Sequence, residues 1–218
     1  MRPVYLATLA ALWSGCIIQG TETTPFPPGL EPPEDNTAPA PGAEGEYPEE
    51  ASIVTGTDEI DGQDYVWVHM RGYIHASAAE VWTIMQDPQV VADRRNTDRL
   101  DVTYDSEPDY EYSFEIHYFV DRILNVEWDE NWRYGAIEGS FEEPLEGAIR
   151  FQKTFGTDFI DFIDGSMSVR YIEEGITEIG MVEHVSALQE SRSTSEGYAR
   201  DVFNNVLAVS NGEPLPAY

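Results

Sequence analysis

The strongest constraint on the fold is a regular alternation of side chains between positions 110 and 120. Apolar residues occupy the even positions, and polar residues occupy the odd positions except Phe119. Successive side chains of a β-strand point to opposite faces, so this period of two predicts a strand with one buried face. A sheet made of such strands needs a second layer over its apolar face.

Similar alternating segments precede and follow this one. Tyr65–Ile74 has the same period, and paired apolar residues mark later strands: Trp128 and Trp132, Ile149 and Phe151, Met167 and Val169, Ile179 and Met181. The short spacings between these segments are typical of hairpins, which join antiparallel strands. We therefore predict a largely antiparallel sheet.

Two short helices are predicted after the first strand. Ser77 with Glu80 three residues later is a capping-box pattern, in which each side chain satisfies a free amide at a helix start. Asp87-Pro88 predicts the end of this helix, because a proline disfavours helical geometry in the preceding residue. Residues 89–94 are predicted as the second short helix.

One long helix is predicted at the C-terminus. Ser193 with Glu196 is a second capping-box pattern, and Asn211-Gly212 marks the expected end. Between them, one apolar stripe with helical spacing is formed by Tyr198, Val202, Val206 and Val209. The order of elements predicts an α+β fold, in which this helix covers the apolar face of the sheet.

The chain resembles the START-like helix-grip (SRPBCC) superfamily in four places. These are Ile74–Trp82, the Asp87-Pro88 pair that follows it, Gly147–Phe151, and the Gly-Glu-Pro-Leu-Pro tail. That superfamily includes polyketide cyclase/dehydrase-like and lipid-transfer domains. The resemblance covers roughly residues 65–216. It implies a curved antiparallel sheet wrapped around the C-terminal helix, with an apolar cavity between them. It implies no particular reaction, because the superfamily contains binders, transporters and enzymes.

The N-terminus resembles a bacterial lipoprotein signal. Arg2 precedes the apolar stretch Val4–Trp13, which is too short to cross a bilayer but typical of a signal peptide. Two small residues then precede Cys16, the single cysteine of the chain. The resemblance implies removal of residues 1–15, lipidation of Cys16 and, from Ile17, sorting to the outer membrane. A secretory signal cut elsewhere is the alternative.

Residues 16–50 differ in composition from the rest of the chain. Eight of the fourteen prolines lie between positions 17 and 50, and positions 17–64 contain twelve acidic residues and no Lys or Arg. Proline interrupts helices and strands, and like charges extend a chain. We therefore expect an acidic, disordered linker over 16–50 that holds a START-like domain, residues 51–218, off the membrane. A segment that orders on a partner is the alternative.

The charge of the chain excludes one class of partner. The formal net charge is −29, whereas a nucleic-acid binder needs a basic face for the phosphate backbone. We therefore predict no nucleic-acid partner. A single cysteine also rules out an internal disulfide.

The implied cavity would bind an apolar or amphipathic molecule through the surface that it buries. Aromatic residues are concentrated in the first half of the predicted sheet. The candidate wall residues are Tyr110, Tyr112, Phe114, Tyr118, Trp128 and Trp132. Ordinary core packing under the long helix is the alternative for each of them.

Three charged residues interrupt the apolar strand faces: Glu130, Lys153 and Glu183. A buried charge is costly unless it is paired, so each of them needs an explanation. Lys153 could contact a ligand carboxylate, and an acid could exchange a proton with a substrate. Alternatively, a bulge places these residues in water, or Lys153 pairs with an internal acid. Lys153 and Glu183 join the ligand-binding candidates, and no catalytic residue is assigned.

Motifs for cofactors and metals are not found. The four histidines, at positions 69, 75, 117 and 184, show no metal-ligand spacing, so no metal site is predicted. The sequence contains no glycine-rich phosphate loop and no nucleophile elbow. We therefore predict no cofactor.

These observations favour an outer-membrane lipoprotein of the bacterial cell envelope that binds a hydrophobic, lipid-like molecule between sheet and C-terminal helix. A cyclase- or dehydratase-like enzyme acting on an aromatic or polyketide precursor is one alternative. A non-catalytic interaction module with an acidic surface is the other. The ligand, the oligomeric state and the side of the membrane stay open.

Overall fold

The computed structural model describes residues 24–121, 125–188 and 191–218. The predicted signal peptide at 1–15, Cys16 and Ile17 lie outside these ranges. Among the helices of the described ranges, none combines the length and the apolar character needed to cross a bilayer.

Eight strands form one sheet within the described residues. In chain order they are β1 (Ala51–Ile60), β2 (Gln63–Ile74), β3 (Arg99–Tyr104), β4 (Tyr112–Val120), β5 (Val126–Gly139), β6 (Pro144–Gly156), β7 (Ile160–Glu173) and β8 (Ile176–Ala187). Their spatial order is β1-β2-β8-β7-β6-β5-β4-β3, and every neighbouring pair is antiparallel. Strands β3 to β8 therefore form a meander, and the β1–β2 hairpin extends it beside β8.

Two short helices connect β2 to β3. Helix α1 (Ala78–Met85) begins as the capping box predicts, since the Ser77 hydroxyl accepts a hydrogen bond from the Glu80 amide at 3.3 Å. Helix α2 (Pro88–Val91) is shorter than the predicted 89–94 segment. Asp87 caps it and Pro88 occupies its first turn, where a missing N–H costs nothing.

The long C-terminal helix, α3 (Arg192–Ser210), covers the inner face of the sheet. Its cap is Ser191 rather than the predicted Ser193, because the Ser191 hydroxyl accepts from the Thr194 amide at 3.2 Å. The predicted stripe of Tyr198, Val202 and Val206 is buried. The helix packs on β1, β2 and β8 and against both short helices, which confirms the predicted α+β helix-grip arrangement.

Two features near the strands differ from the sequence prediction. Strand β1 was not predicted, because most of its side chains are half-buried or exposed and show no alternation. Tyr110 precedes β4 and does not belong to its inner face, since its hydroxyl contacts Gly29 instead. Tyr110 is therefore not a wall residue of the cavity.

Residues 24–50, here called the N-terminal segment, lie on the outer face of the sheet. The Thr24 amide donates to the Thr154 carbonyl at 2.7 Å, and the Asn36 amide group donates to the Met70 carbonyl at 2.8 Å. The segment has no helix or strand, as its prolines dictate. The expectation of a disordered linker is corrected for these residues, because polar groups of the sheet hold them in place.

Arg133 on β5 is the main attachment point of this segment. Its side chain is 4% exposed and forms an ion pair with Glu107 at 3.2 Å. The guanidinium donates to the carbonyls of Phe26 and Pro27, and it lies 3.4 Å from the centre of the Phe26 ring. An arginine that would face water on a bare sheet is therefore buried by the N-terminal segment.

Candidate ligand-binding cavity

A cavity of about 830 Å³ lies between the inner face of the sheet and the start of α3. Its volume falls in the range of about 300–1,000 Å³ that is typical of small-molecule sites. Most of its wall is apolar. Strands β4, β5, β7 and β8 contribute Val120, Val126, Ile163 and Val185, and the residues next to β7 and β8 contribute Phe159 and Leu188. Leu188 is 73% exposed, which places it at the rim.

Three aromatic residues shape the interior of the cavity. Tyr118 and Trp128 are stacked with their ring centroids 4.7 Å apart and their planes 10° apart. Tyr198 reaches in from α3, and its hydroxyl donates to the Val91 carbonyl at 2.7 Å. Because that hydrogen bond fixes the Tyr198 ring, the helix contributes a rigid wall opposite the strands.

Glu130 places an ionisable group inside the cavity. The residue is 5% exposed, and its carboxylate accepts from the Trp128 indole N–H at 2.7 Å. Burial raises the pKa of Glu130 from its ordinary value of 4.5 to about 7, although hydrogen bonds from Trp128 and Tyr118 oppose that rise. Near neutral pH this carboxyl is therefore able to donate or accept a proton.

Two further acids face the same space. Glu183 lines the cavity and is 5% exposed. Asp93 lines it from the loop after α2, where burial raises its pKa and hydrogen bonds from Asn96 oppose the rise. Arg95 at the same loop is bound to Asp201 of α3 by two hydrogen bonds of 2.6 and 2.7 Å. The polar part of the wall therefore contains three carboxyl groups, together with the Arg95 guanidinium that Asp201 pairs.

Lys153 is buried but does not line the cavity. Its ammonium donates to the carbonyl of Ile160, which itself lines the cavity. Burial lowers the pKa of Lys153, and the charges of Asp161 and Asp158 oppose that change. This arrangement therefore does not favour a direct contact between Lys153 and a ligand carboxylate.

The alternative that Glu130, Lys153 and Glu183 point into water is wrong. All three are nearly fully buried, with exposures of 5%, 2% and 5%. A register shift does occur between Asp129 and Glu130, but it leaves the Glu130 side chain on the inner face.

The remaining predicted wall residues belong to a packed aromatic core beside the cavity. Phe114 and Trp132 stack with centroids 5.7 Å apart, and Trp132 stacks on Phe151 at 4.3 Å. The Tyr112 hydroxyl donates to the Gln86 carbonyl at 2.8 Å. The structure thus brings Tyr118, Trp128 and Glu183 to the cavity, and places Tyr112, Phe114 and Trp132 in the core.

Several lining residues were missed by the sequence analysis. The loop residues Asp93, Arg95 and Asn96 and the helix residues Thr194 and Ser195 all contribute to the wall. They lie in a loop and in the first turn of a helix, where no apolar period marks them. Only the packing of α3 on the loop brings them together.

A second polar cluster lies on the outer face of the sheet. Glu34 of the N-terminal segment accepts from His69 of β2 at 2.8 Å and from His184 of β8 at 2.9 Å, through the same carboxylate oxygen. These two histidines show no metal-ligand spacing in the sequence because they lie on strands that are far apart in the chain.

Comparison with known proteins supports the fold assignment. No protein-family model matches the chain, and no curated protein matches it in sequence. A STAR-related lipid transfer protein from Xanthomonas axonopodis is similar in structure, with a TM-score of 0.54 and 10% identity over 76% of this chain and 96% of that one. The lipid transfer and protein localization domain of human StarD13 has a TM-score of 0.48 and 8% identity over 78% of this chain and 87% of that one.

An aromatase/cyclase from a Streptomyces species, ZhuI, has a TM-score of 0.47 and 10% identity over 67% of this chain and 94% of that one. The architecture and the Xanthomonas structure together show that the chain has the START-like helix-grip fold. At these identities the likeness concerns the fold alone.

Proposed function

We propose that the protein binds one hydrophobic or amphipathic, lipid-like molecule in the cavity between sheet and α3. The observation that carries this proposal is the cavity itself, about 830 Å³ of space with a mainly apolar wall. The cavity opens to solvent at Leu188, and its size and apolar wall are those typical of small-molecule sites.

The acids in the wall restrict the polar part of that ligand. In their ionised forms, Glu130, Glu183 and Asp93 would repel a carboxylate or phosphate head group in a space of low dielectric, and Arg95 in the same wall is already paired with Asp201. A hydroxyl or an ammonium group, in contrast, donates a hydrogen bond to a carboxylate. The proposed ligand is therefore neutral or cationic at its polar end.

Ala187→Trp is expected to weaken binding of the neutral probe N-phenyl-1-naphthylamine at least about tenfold. Ala187 is half-buried in the wall, so an indole there fills ligand space without entering the packed core. Displacing about 60 Å² of buried ligand surface costs about 1.5 kcal/mol, or roughly tenfold in affinity. Probe fluorescence titrations measure both dissociation constants.

Ile137→Trp is the matched control for this titration. Ile137 is 58% exposed on β5 and lies outside the cavity, so the same ring added there should leave probe binding unchanged. Equal affinities for wild type and Ala187→Trp would count against the cavity as the binding site.

The proposed place of action is the bacterial cell envelope, with the protein attached to the outer membrane through lipid on Cys16. The resemblance of residues 1–16 to a lipoprotein signal supports this proposal. The N-terminal segment meets the sheet at Thr24, eight residues after Cys16. Eight residues span at most about 30 Å, so the domain would lie close to the membrane surface.

Cys16→Ser is expected to move the protein from the membrane fraction to the soluble fraction of cells. Several acyl chains on one cysteine hold a protein stably on a bilayer, whereas a serine at this position receives none. Fractionation followed by immunoblotting distinguishes the two cases. A mutant that stays in the membrane pellet would show that Cys16 is not the anchor.

A further inference from the structure

We propose that Glu34, His69 and His184 form a binding site for a divalent transition-metal ion of the zinc type. The ion would fasten the N-terminal segment to the outer face of the sheet. This inference is independent of the cavity on the inner face, because no residue is shared between the two sites.

The geometry of the three donors fits one ion. One oxygen of Glu34 lies 2.8 Å from Nε2 of His69 and 2.9 Å from Nε2 of His184. All three ligand atoms lie within 4.8 Å of one another. Two imidazole nitrogens and one carboxylate oxygen are a donor set that zinc accepts, with a fourth position left for water.

Two of the donors are held by strands and are therefore preorganised. His69 lies on β2 and His184 on β8, and these strands are neighbours in the ladder, where His184 pairs with Trp67 and His69 pairs with Val182. The His69 side chain is 3% exposed and that of His184 is 13% exposed, so both rings are confined. Only Glu34, at 42% exposure, needs to adjust.

Thr37 provides a partner for the other nitrogen of His69. Nδ1 of His69 accepts from the Thr37 amide at 3.0 Å, which leaves the ring proton on Nε2 facing Glu34. Binding of the ion at Nε2 moves that proton to Nδ1 and releases the Thr37 amide. The Thr37 hydroxyl, 2.7 Å from Nδ1, then accepts the proton's hydrogen bond, as the outer partner of a ligating histidine usually does.

The position of the cluster gives the ion a structural effect. Glu34 belongs to the N-terminal segment, and the two histidines belong to two different strands. An ion bound to all three therefore joins elements that are distant in the chain. An ion that binds only the form in which the N-terminal segment lies on the sheet stabilises that form by mass action. The exposed side of Glu34 gives the ion a path of entry.

Zinc binding tests the site directly. The full chain is used in a Cys16→Ser background and without a polyhistidine tag, so that no thiol or tag competes. Equilibrium dialysis with metal analysis should give one zinc per chain, removable by a chelator. His184→Gln keeps an N–H donor for Glu34 but loses the ligand nitrogen, and it should bind zinc more than about 100-fold more weakly.

His75→Gln is the matched control, because His75 also lies beside a glutamate, Glu49 at 3.8 Å, but outside the cluster. It should bind zinc as the parent chain does. If the parent binds no zinc, or if His184→Gln binds it equally well, the proposed site is wrong.

Proteolysis tests the fastening. The N-terminal segment contains no Lys or Arg but several glutamates, so a glutamyl endopeptidase can cut it at a bond that no proline follows, for example after Glu34. With zinc at about ten times its dissociation constant, this cleavage should slow roughly tenfold in the parent chain, whereas the rate in His184→Gln should not change. Zinc binding without any slowing of cleavage would overturn the fastening role.

Discussion

Arg133→Ala is expected to lower the free energy of unfolding by about 3 kcal/mol, the cost typical of breaking a buried ion pair. The substitution removes the partner of Glu107 and of the Phe26 and Pro27 carbonyls. It also removes the cation that lies over the Phe26 ring. The buried acceptors would lose their donors, and the N-terminal segment would lose its main attachment to the sheet. Urea denaturation at neutral pH measures the change.

Arg99→Ala is a control with the same kinds of contact in an exposed setting. Arg99 pairs with Asp101 at 3.4 Å and lies 4.9 Å from the centre of the Phe119 ring, but its side chain is 60% exposed. Exposed ion pairs contribute about 0–1 kcal/mol, so this variant should change stability little. Equal losses for the two arginine variants would contradict a segment held on the outer face by Arg133.

Glu130→Gln is expected to become more stable than wild type as the pH rises. The wild-type carboxyl keeps its proton to a pH of about 7 when folded, but loses it near 4.5 when unfolded. Between these values the unfolded form releases a proton that the folded form retains, so wild-type stability falls. A glutamine does not titrate. The stability difference between variant and wild type should grow by about 3 kcal/mol between pH 4.5 and pH 8.

Denaturation curves of both proteins at the two pH values test this expectation. Glu138→Gln is the control, because Glu138 lies on the same strand but is exposed. Its difference from wild type should stay within about 0.5 kcal/mol at both pH values. A Glu130→Gln difference that does not change with pH would show that Glu130 is not buried in the cavity wall.

The architecture could be predicted because burial on one side leaves a period in the sequence. Phe114 and Ile116 of β4 are fully buried, and the polar residues between the apolar positions lie on the other face. Val202 and Val206 mark the buried side of α3 in the same way, with helical spacing. These patterns are local, so they can be read without knowledge of the tertiary contacts.

The boundary of the cavity could not be predicted in this way. Trp128 and Trp132 lie four residues apart on the same face of β5, yet Trp128 lines the cavity and Trp132 does not. The difference comes from Phe151 of β6, which stacks on Trp132 and fills the space there. Whether an inward residue meets a neighbour or an empty space depends on the neighbouring strand, and a single strand pattern does not contain that information.

The N-terminal segment was misjudged for a related reason. Prolines and like charges predict the loss of helix and strand, and residues 24–50 indeed contain neither. The same features do not prevent packing, which here depends on side chains such as Arg133 and His69 that alternate to the outer face of the sheet. On a sequence pattern, those side chains are expected to face water.

Native mass spectrometry of the protein, purified without detergent, tests the central claim of an occupied cavity most directly. The account predicts wild-type chains that carry one small apolar molecule each, with the adduct absent or strongly reduced in Ala187→Trp. Wild-type chains that have only the mass of the polypeptide, and that take up no neutral amphiphile when it is added, would contradict it.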